Sequence, residues 1–278
     1  MTTNAVSADL LALVRDIAVQ ASEFALDARR AGVSVAATKS TPTDVVTAVD
    51  RDTESLIRSL ILAARPDDGI LGEEDAAHVG TSGLDWIVDP IDGTVNFLYG
   101  IPAWSVSVAV AERTGAVAAG PGGIDGVTLA GVVVNPVSGE LFEASRGGGA
   151  RLTGQPLAVN TGVPLAQALV GTGFGYASDV RRAQADVLRG VLPEVRDIRR
   201  IGSAALDLAA LAAGRLDAYY ERGLNAWDHA AGGLIAREAG ARVGGLRGGP
   251  ESSDLLVAAA PDLYDAFAAL LRTAGLEA

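Results

Sequence analysis

The stretch WIVDPIDGTVNF, from Trp86 to Phe97, carries the pattern that decides the fold. An apolar run typical of a buried strand ends at Asp89, and Pro90 is expected to stop the strand because proline cannot donate to a sheet ladder. Asp92-Gly93-Thr94 then has the form of a turn into a helix, with Thr94 near the cap. The pattern therefore predicts two carboxylates at a strand end, beside the backbone N–H groups of a helix start.

Such an arrangement suits a hard divalent cation together with a phosphate. Carboxylate oxygens are ligands for the cation, and the N–H groups at a helix start attract the anion. An ordinary Asx-rich turn would have the same residues. On Asp-x-x-Asp-Gly-Thr alone, both interpretations stay open.

Further carboxylates lie at the ends of other predicted elements. Glu73, in Gly72-Glu73-Glu74, follows a short strand, and taken alone it fits a solvated turn better than a site. Asp228 lies near the start of an apolar helix, where it would also serve as a cap. Taken together with Asp89 and Asp92, these oxygen donors predict a cluster that binds two or more Mg²⁺ ions.

The composition excludes several function classes. The chain has 278 residues, no cysteine and a formal net charge of −12, which argues against direct nucleic-acid binding, a disulfide framework and a thiolate zinc site. No stretch reaches the roughly 18 apolar residues of a membrane helix, and acidic residues occupy the start of the chain where a signal peptide would need an apolar core. We expect a cytoplasmic protein that does not bind membranes. Lys39 is the only lysine, and it is either a surface residue or a functional one.

The periodicity predicts an α+β fold. A helix is expected over 7–31 with Ser7 as its cap, and a second over 50–64; strands dominate up to about residue 160, and strands alternate with helices after it. Glycine-rich stretches at 147–149 and 244–249 are interpreted as turns, and Thr114–Gly126 as a loop. We expect a single domain over 1–278 with two interlocked halves, about 1–160 and 161–278.

The two histidines are not expected to be catalytic. His78 lies in a polar loop, and His229, next to Asp228 on a helix, is expected to pack or form a hydrogen bond. Acid–base chemistry would then fall to carboxylates, threonine or metal-activated water.

At this point the chain resembles the inositol monophosphatase family of lithium-sensitive, Mg²⁺-dependent phosphatases. The matching segments follow one another in the same order and spacing: Lys39–Asp50, Gly72–Glu74, Trp86–Phe97, Gly202–Ala205, Asp217–Glu221 and Trp227-Asp228. The resemblance implies a five-layer αβαβα fold, a homodimer, two or three Mg²⁺ per active site and hydrolysis of inositol-1-phosphate.

The resemblance also implies roles for single residues. The metal ligands would be Glu73, Asp89, the carbonyl of Ile91, Asp92 and Asp228. The catalytic residues would be Glu73, Thr94 and Asp50, with Thr94 orienting the attacking water and accepting its proton. The substrate contacts would be the N–H groups of Gly93 and Thr94 for phosphate, and Ala204, Glu221 and Asp228 for the alcohol. Lys39, near a weaker third metal, and Glu74 would complete the site.

Two features depart from the family pattern. The loop Thr114–Gly126 is longer than usual, and His229 stands where an aliphatic residue is usual. Their roles stay open.

Alternatives remain for the activity. Fructose-1,6-bisphosphate, histidinol phosphate and nucleotide-derived phosphates also present a phosphate and hydroxyls. An aspartyl-phosphate phosphatase of the haloacid dehalogenase type also places an aspartate at a strand end, although its motif is Asp-x-Asp. A non-catalytic role as a protein partner of transcription complexes is a further alternative.

Overall fold

The structure is a computed structural model that describes residues 3–32, 35–38, 45–115, 126–247 and 249–276. Its helices in these ranges are α1 (Thr3–Ala31), α2 (Ala48–Ala64), α3 (Thr94–Tyr99), α4 (Ser178–Val191), α5 (Ala204–Ala212), α6 (Ala226–Glu238) and α7 (Pro261–Thr273). Its strands are β1 (Val35–Thr38), β2 (Val45–Thr47), β3 (Gly69–Gly72), β4 (Leu84–Asp92), β5 (Ser105–Arg113), β6 (Gly126–Asn135), β7 (Glu140–Ser145), β8 (Gly149–Leu152), β9 (Gln155–Pro156), β10 (Leu169–Thr172), β11 (Asp197–Arg199), β12 (Ala218–Glu221), β13 (Arg242–Gly244) and β14 (Leu256–Ala259).

The strands form two large sheets and one small one. Seven strands lie in chain order, β3 to β9, and all neighbours after the parallel pair β3–β4 are antiparallel. The second sheet has the order β11-β10-β12-β14-β13, with β10 parallel to both of its neighbours. Strands β1 and β2 form a separate antiparallel pair.

The layers follow from which face each side chain occupies. In β4, Trp86 and Val88 pack with α1 and α2, whereas Ile87 packs with α5 and α6, as the period of two along a strand requires. In β12, Tyr219 faces α5 and α6, and Tyr220 faces α4 and α7. The two sheets therefore share the α5–α6 layer, and the αβαβα order expected for the fold is confirmed.

The course of β4 differs from the prediction at Pro90. The strand continues through this proline to Asp92, and its pairing with β5 shifts between Asp89 and Asp92. Because the ladder is irregular there, the missing N–H of Pro90 costs no regular hydrogen bond. The expected stop at Pro90 is wrong, although the carboxylates do lie at the strand end.

Several other boundaries also differ. Helix α1 begins at Thr3, so Ser7 lies within the helix and does not cap it. Gly93, with φ of 93°, is the N-cap of α3, and Thr94 is its first residue; this left-handed conformation favours glycine. Strands β8 and β13 include glycines of two predicted turns, because pairing with a neighbouring strand outweighs the weak strand preference of glycine.

No helix in the described ranges is both long and apolar enough to cross a membrane. The division into halves near residue 160 stays a prediction.

A buried carboxylate ties α2 to the first large sheet. Asp68 is 1% exposed, and it accepts hydrogen bonds from Arg65 Nε at 2.8 Å and from Trp86 Nε1 at 2.9 Å. Burial alone would raise the pKa of Asp68, but the hydrogen bonds from Arg65, Ser82 and Trp86 outweigh burial and hold this pKa below its ordinary value.

We expect Asp68→Asn to lower the free energy of unfolding at pH 7 by about 1.5–3 kcal/mol, the scale for hydrogen bonds to a charged group. Since the folded pKa is depressed, this stabilisation is present above the unfolded pKa and is lost as the pH falls through the folded pKa. Urea unfolding in EDTA should therefore show a smaller loss of stability between neutral and acid pH in the variant than in the wild type. Asp67→Asn, at the exposed neighbouring position, is the control; equal stabilities at pH 7 for Asp68→Asn and wild type would contradict this account.

Candidate active site

The end of β4 places two carboxylates next to the start of α5. Asp89 is 1% exposed and Asp92 is 8% exposed. Asp89 Oδ1 accepts the N–H of Ile91 at 3.0 Å, and Asp92 Oδ2 accepts the Ser203 hydroxyl at 2.6 Å and the N–H of Ala205 at 2.7 Å. These bonds fix both side chains before any ligand binds.

The third carboxylate of the cluster comes from α6. Asp228 is the third residue of this helix, and its Oδ2 accepts the N–H of Asn225 at 2.6 Å, in a capping box. Asp228 also offers a carboxylate oxygen within 4.8 Å of those offered by Asp89 and Asp92. The cap interpretation and the cluster interpretation are therefore compatible, because one side chain does both.

The electrostatics of the cluster call for a cation. Burial raises the pKa of Asp92 to about 6, with the hydrogen bonds from Ser203 and Ala205 acting in the opposite direction. Burial, followed by the charges of Glu73 and Asp92, raises the pKa of Asp228 well above its ordinary value. A divalent cation would stabilise the ionised forms of these buried carboxylates and reduce the repulsion between them. A donor set made only of oxygen suits Mg²⁺. The residues therefore fit a metal site.

Glu73 lies beside this cluster, in the turn after β3. It is half-buried, and it lines the same cavity as the three aspartates. The turn is held by Glu54 of α2, which is fully buried and accepts the N–H groups of Glu74 at 2.8 Å and Asp75 at 3.0 Å. A Cβ at Gly72 would lie 2.2 Å from Glu54 Oε1, so this carboxylate occupies the space that only glycine leaves. The structure thus brings Glu73 to the cluster and places Glu74 in the backbone contact with Glu54.

Thr94 and Asp50 meet as expected. The Thr94 hydroxyl lies 3.1 Å from Asp50 Oδ1 and 3.2 Å from the carbonyl oxygen of Ile91, and its one proton can serve only one of them at a time. Asp50 is fully buried, and its Oδ2 accepts the N–H of Thr47 at 2.9 Å and also the Thr47 hydroxyl. The hydroxyl of Thr94 is therefore oriented by a carboxylate that is itself held in place.

The residues expected to contact the alcohol part of the substrate line the same cavity as the carboxylate cluster. Ala204 begins α5, and Glu221 ends β12. Glu221 Oε2 accepts the Tyr219 hydroxyl at 2.5 Å, and burial raises the pKa of Glu221 to about 7. The cavity, with a volume of about 770 Å³, is lined by both residues and by Gly93, Thr94 and the carboxylate cluster.

Some predicted residues lie elsewhere or outside the described residues. Lys39 falls outside them, as does 116–125 of the loop Thr114–Gly126. His229 is 2% exposed, and burial lowers its pKa to about 4, so the ring is neutral at pH 7. Within the described part of the chain, neither ring nitrogen has a hydrogen-bond partner. The sequence predicts that His229 either packs or forms a hydrogen bond, and the structure shows packing, since the ring is buried.

Sequence reasoning missed three residues that shape the site. Glu54 holds the turn of Glu73, Ser203 binds Asp92, and Arg200 lines the cavity, where its charge partly offsets the rise that burial causes in the pKa of Glu221. Glu54 lies four residues after Asp50 and four before Arg58, with which it forms an ion pair. That spacing on one helix face is a signal that could have singled it out.

Comparisons with known proteins agree with this geometry. Residues 8–276 match the inositol monophosphatase family. The chain is 46% identical over 271 residues to "Inositol-1-monophosphatase" of Mycobacterium bovis, covering 93% of this chain and 89% of that protein. It is 41% identical over 222 residues to "Nus factor SuhB" of Pasteurella multocida, covering 78% of this chain and 79% of that protein.

A solved structure shows the same architecture. "Mycobacterium tuberculosis SuhB" has a TM-score of 0.78 and 43% sequence identity, with coverage of 97% of this chain and 98% of that chain. The family match spans nearly the whole chain, and it therefore displaces the haloacid dehalogenase alternative. With the carboxylates, the layer order and the sequence match in agreement, the chain belongs to the inositol monophosphatase family.

Proposed function

We propose that this protein is a Mg²⁺-dependent phosphomonoesterase that hydrolyses inositol-1-phosphate to inositol and phosphate. The observation that carries the proposal is the group formed by Asp89, Asp92 and Asp228, whose carboxylate oxygens lie within 4.8 Å of one another at the wall of a large cavity. Membership of the family supports phosphatase activity, and the relative in Mycobacterium bovis carries the name inositol-1-monophosphatase.

Asp89, Asp92 and Asp228 would hold two or three Mg²⁺ ions together with Glu73 and the carbonyl of Ile91. When bound, Mg²⁺ lowers the pKa of a coordinated water and neutralises charge that develops on the ester oxygen. Outside the ligand set, Lys39 and Glu74 are proposed as supporting site residues.

Thr94 would orient the attacking water. Because its hydroxyl donates to Asp50, the lone pairs of the hydroxyl oxygen can accept a hydrogen bond from the water. The water oxygen would form a bond to phosphorus as the bond from phosphorus to the ester oxygen breaks. One of the two water protons would be accepted at Thr94 and end on the ester oxygen, so that inositol leaves as the alcohol, and the other would stay on the phosphate. The N–H groups of Gly93 and Thr94 would hold the phosphate oxygens at the cavity wall, where both residues lie.

Glu221, with Ala204 and Asp228, would contact the alcohol. The Tyr219 hydroxyl occupies one oxygen of Glu221, so the carboxylate has a fixed direction from which to accept hydrogen bonds from ring hydroxyls.

At pH 8, above the pKa of about 7 of Glu221, we expect Glu221→Gln to lower kcat/KM for inositol-1-phosphate by a factor that corresponds to roughly 1–3 kcal/mol, the scale of a charge-assisted hydrogen bond. The same variant should hardly change kcat/KM for phenyl phosphate, which has no hydroxyls and shares the phosphate chemistry. Steady-state kinetics on both substrates checks this. Equal losses on the two substrates would assign Glu221 to the fold or the metal cluster instead.

A phosphate-release screen tests the choice of substrate. About a dozen phosphomonoesters, including fructose-1,6-bisphosphate, histidinol phosphate and nucleoside monophosphates, are compared with inositol-1-phosphate at saturating Mg²⁺. We expect the highest kcat/KM for inositol-1-phosphate. A higher value for any other substrate would replace inositol-1-phosphate in the proposal.

We further propose a cytoplasmic homodimer that is inhibited by Li⁺. Tyr99, the last residue of α3, and Ile101, two residues later, have exposed side chains, which supply apolar surface of the kind that a second copy would cover. Light scattering should give twice the chain mass of 28.2 kDa, and a monomer would contradict the dimer.

A second candidate role is that of a protein partner of transcription complexes. The observation that favours it is the name "Nus factor SuhB" of the relative in Pasteurella multocida. A pull-down from cell lysate with wild type and with Asp228→Asn would show whether such an association exists and whether it needs an intact metal cluster.

A further inference from the structure

The outer part of the active-site cavity has an apolar wall. Phe174 and Tyr176, in the segment after β10, and Val180 and Ala183, on α4, line the cavity that also contains the carboxylate cluster. We call these four residues the apolar wall. The side chains of Tyr176 and Val180 are 41% and 42% exposed, so two large apolar groups face solvent at the mouth of a site built for a charged phosphate.

Hydrogen bonds fix this wall in place. The N–H of Gly175 donates to Gln184 Oε1 at 2.9 Å, and Arg181 Nη1 donates to the carbonyl oxygens of Gly175 at 3.2 Å and Tyr176 at 2.5 Å. A Cβ at Gly175 would lie 2.9 Å from Val180 Cγ1, so the segment lies directly on α4. A wall that is ordered before binding costs little conformational entropy when a ligand covers it.

The apolar stripe of α4 extends beyond the core of the second sheet. Val187 and Val191, further along the same helix, are buried in the core of the second sheet. Val180 and Ala183 continue that stripe one to two turns beyond the core, where they meet the cavity. The helix thus contributes one end of its apolar face to the fold and the other to the site, and Val187, between them, belongs to the core and also lines the cavity.

One part of the cavity is lined by acidic side chains and another part by apolar ones. Its inner part carries the aspartates and Glu221, whereas the apolar wall offers two aromatic rings and small aliphatic side chains. The volume of about 770 Å³ lies in the upper part of the range of roughly 300–1,000 Å³ for small-molecule sites. A phosphate bound at the carboxylate cluster therefore leaves room for more than a single ring on the alcohol.

We infer that the apolar wall is a subsite for an aromatic group in the alcohol of phosphomonoesters larger than inositol-1-phosphate, which the site would accept as further substrates. Phosphomonoesters whose leaving group extends past one ring are bound against Tyr176 and Val180, and the enzyme discriminates between leaving groups by the apolar surface they bury there. This inference rests on the proposed function, because it uses the same phosphate site. It adds a second specificity determinant: Glu221 selects for hydroxyl groups, whereas the apolar wall selects for apolar ones.

Two aryl phosphates of similar leaving-group basicity test this subsite. With wild-type protein and saturating Mg²⁺, kcat/KM for 2-naphthyl phosphate should exceed that for phenyl phosphate roughly tenfold, because the second ring adds apolar surface to be buried. Val180→Ser and Tyr176→Ser should each reduce this ratio to about threefold or less. Ala185→Ser, on an exposed position of α4 that does not line the cavity, should leave the ratio as in wild type.

Binding of the matching phosphonates, measured by calorimetry, gives the same comparison without turnover. If the protein hydrolyses neither ester but binds the naphthyl phosphonate more tightly than the phenyl phosphonate, the proposed function is contradicted and the subsite is supported. The subsite would be overturned if the naphthyl and phenyl compounds gave equal kcat/KM and equal affinity in wild type. It would also be overturned if the preference for the naphthyl compound persisted in both Val180→Ser and Tyr176→Ser. A change in oligomeric mass of Val180→Ser without a change in the ratio would also overturn it, and would assign the wall to a contact between copies.

Discussion

Replacing Asp89 or Asp228 by Asn is expected to lower kcat/KM for inositol-1-phosphate by at least about a hundredfold at saturating Mg²⁺, which corresponds to about 2.7 kcal/mol of transition-state stabilisation. The amide keeps the size of the side chain but removes a charge from a group of three oxygens that lie within 4.8 Å of one another. In Asp228→Asn the amide oxygen can still accept the N–H of Asn225. The loss should therefore come from the site and not from the start of α6.

A buried aspartate at the other end of β4 provides the matched control. Asp85 is 4% exposed and forms an ion pair with Arg113, and it does not line the cavity. Asp85→Asn should lower stability and leave kcat/KM within about twofold of wild type, since it removes no interaction with the transition state. Rates near wild type for Asp89→Asn or Asp228→Asn, or an equal loss in Asp85→Asn, would show that the cluster is not the site of catalysis.

Thr94→Ala should reduce kcat by about a hundredfold or more, the lower end of the range for a positioned proton-transfer group, and should leave Mg²⁺ binding unchanged. The hydroxyl contacts Asp50 and the carbonyl of Ile91, and it is proposed to orient water, whereas the cation is held by carboxylates. Kinetics at saturating metal, with the Mg²⁺ affinity measured by calorimetry, separates the two effects.

Thr94→Ser is the informative companion because it keeps the hydroxyl and removes only the methyl group. It should retain most of the turnover. A weakened Mg²⁺ affinity together with a normal rate at saturating metal in Thr94→Ala would mean that Thr94 supports metal binding instead.

The local pattern around β4 predicts the position of two carboxylates of the candidate site, although alone it fits an ordinary turn as well. Asp89 and Asp92 were placed at a strand end beside a helix start, and the structure brings both of them to Asp228, 136 residues later than Asp92 in the chain. The sequence around Asp228 does not predict this proximity, because the proximity depends on how α6 packs against the first sheet. The combination of oxygen donors at the ends of several predicted elements suggests that cluster, and the family resemblance implies the ligand set and the layer order.

Pro90 shows where local rules failed. A proline normally ends a central strand, yet β4 continues because its pairing with β5 is irregular at that point. The irregularity is a property of two strands and cannot be derived from one.

Glu54 and the apolar wall show a second limit. Glu54 is an ordinary helix residue by its sequence, and its importance comes from two backbone N–H groups of a turn 20 and 21 residues away. Val180 and Ala183 belong to a regular amphipathic stripe, and only the end of the fold's core at Val187 makes them line the cavity. Such roles emerge from packing, which the periodicity of a single helix does not contain.

Phosphate release from inositol-1-phosphate by the wild-type protein, after exhaustive chelation and then with Mg²⁺ titrated back, tests the central claim most directly. We expect no turnover in the chelated protein. On return of Mg²⁺ we expect inositol and phosphate in equal amounts, at a rate that saturates with the metal, because metal-activated water is the proposed nucleophile. Full turnover after chelation, or no phosphate release from inositol-1-phosphate at any Mg²⁺ concentration, would contradict it.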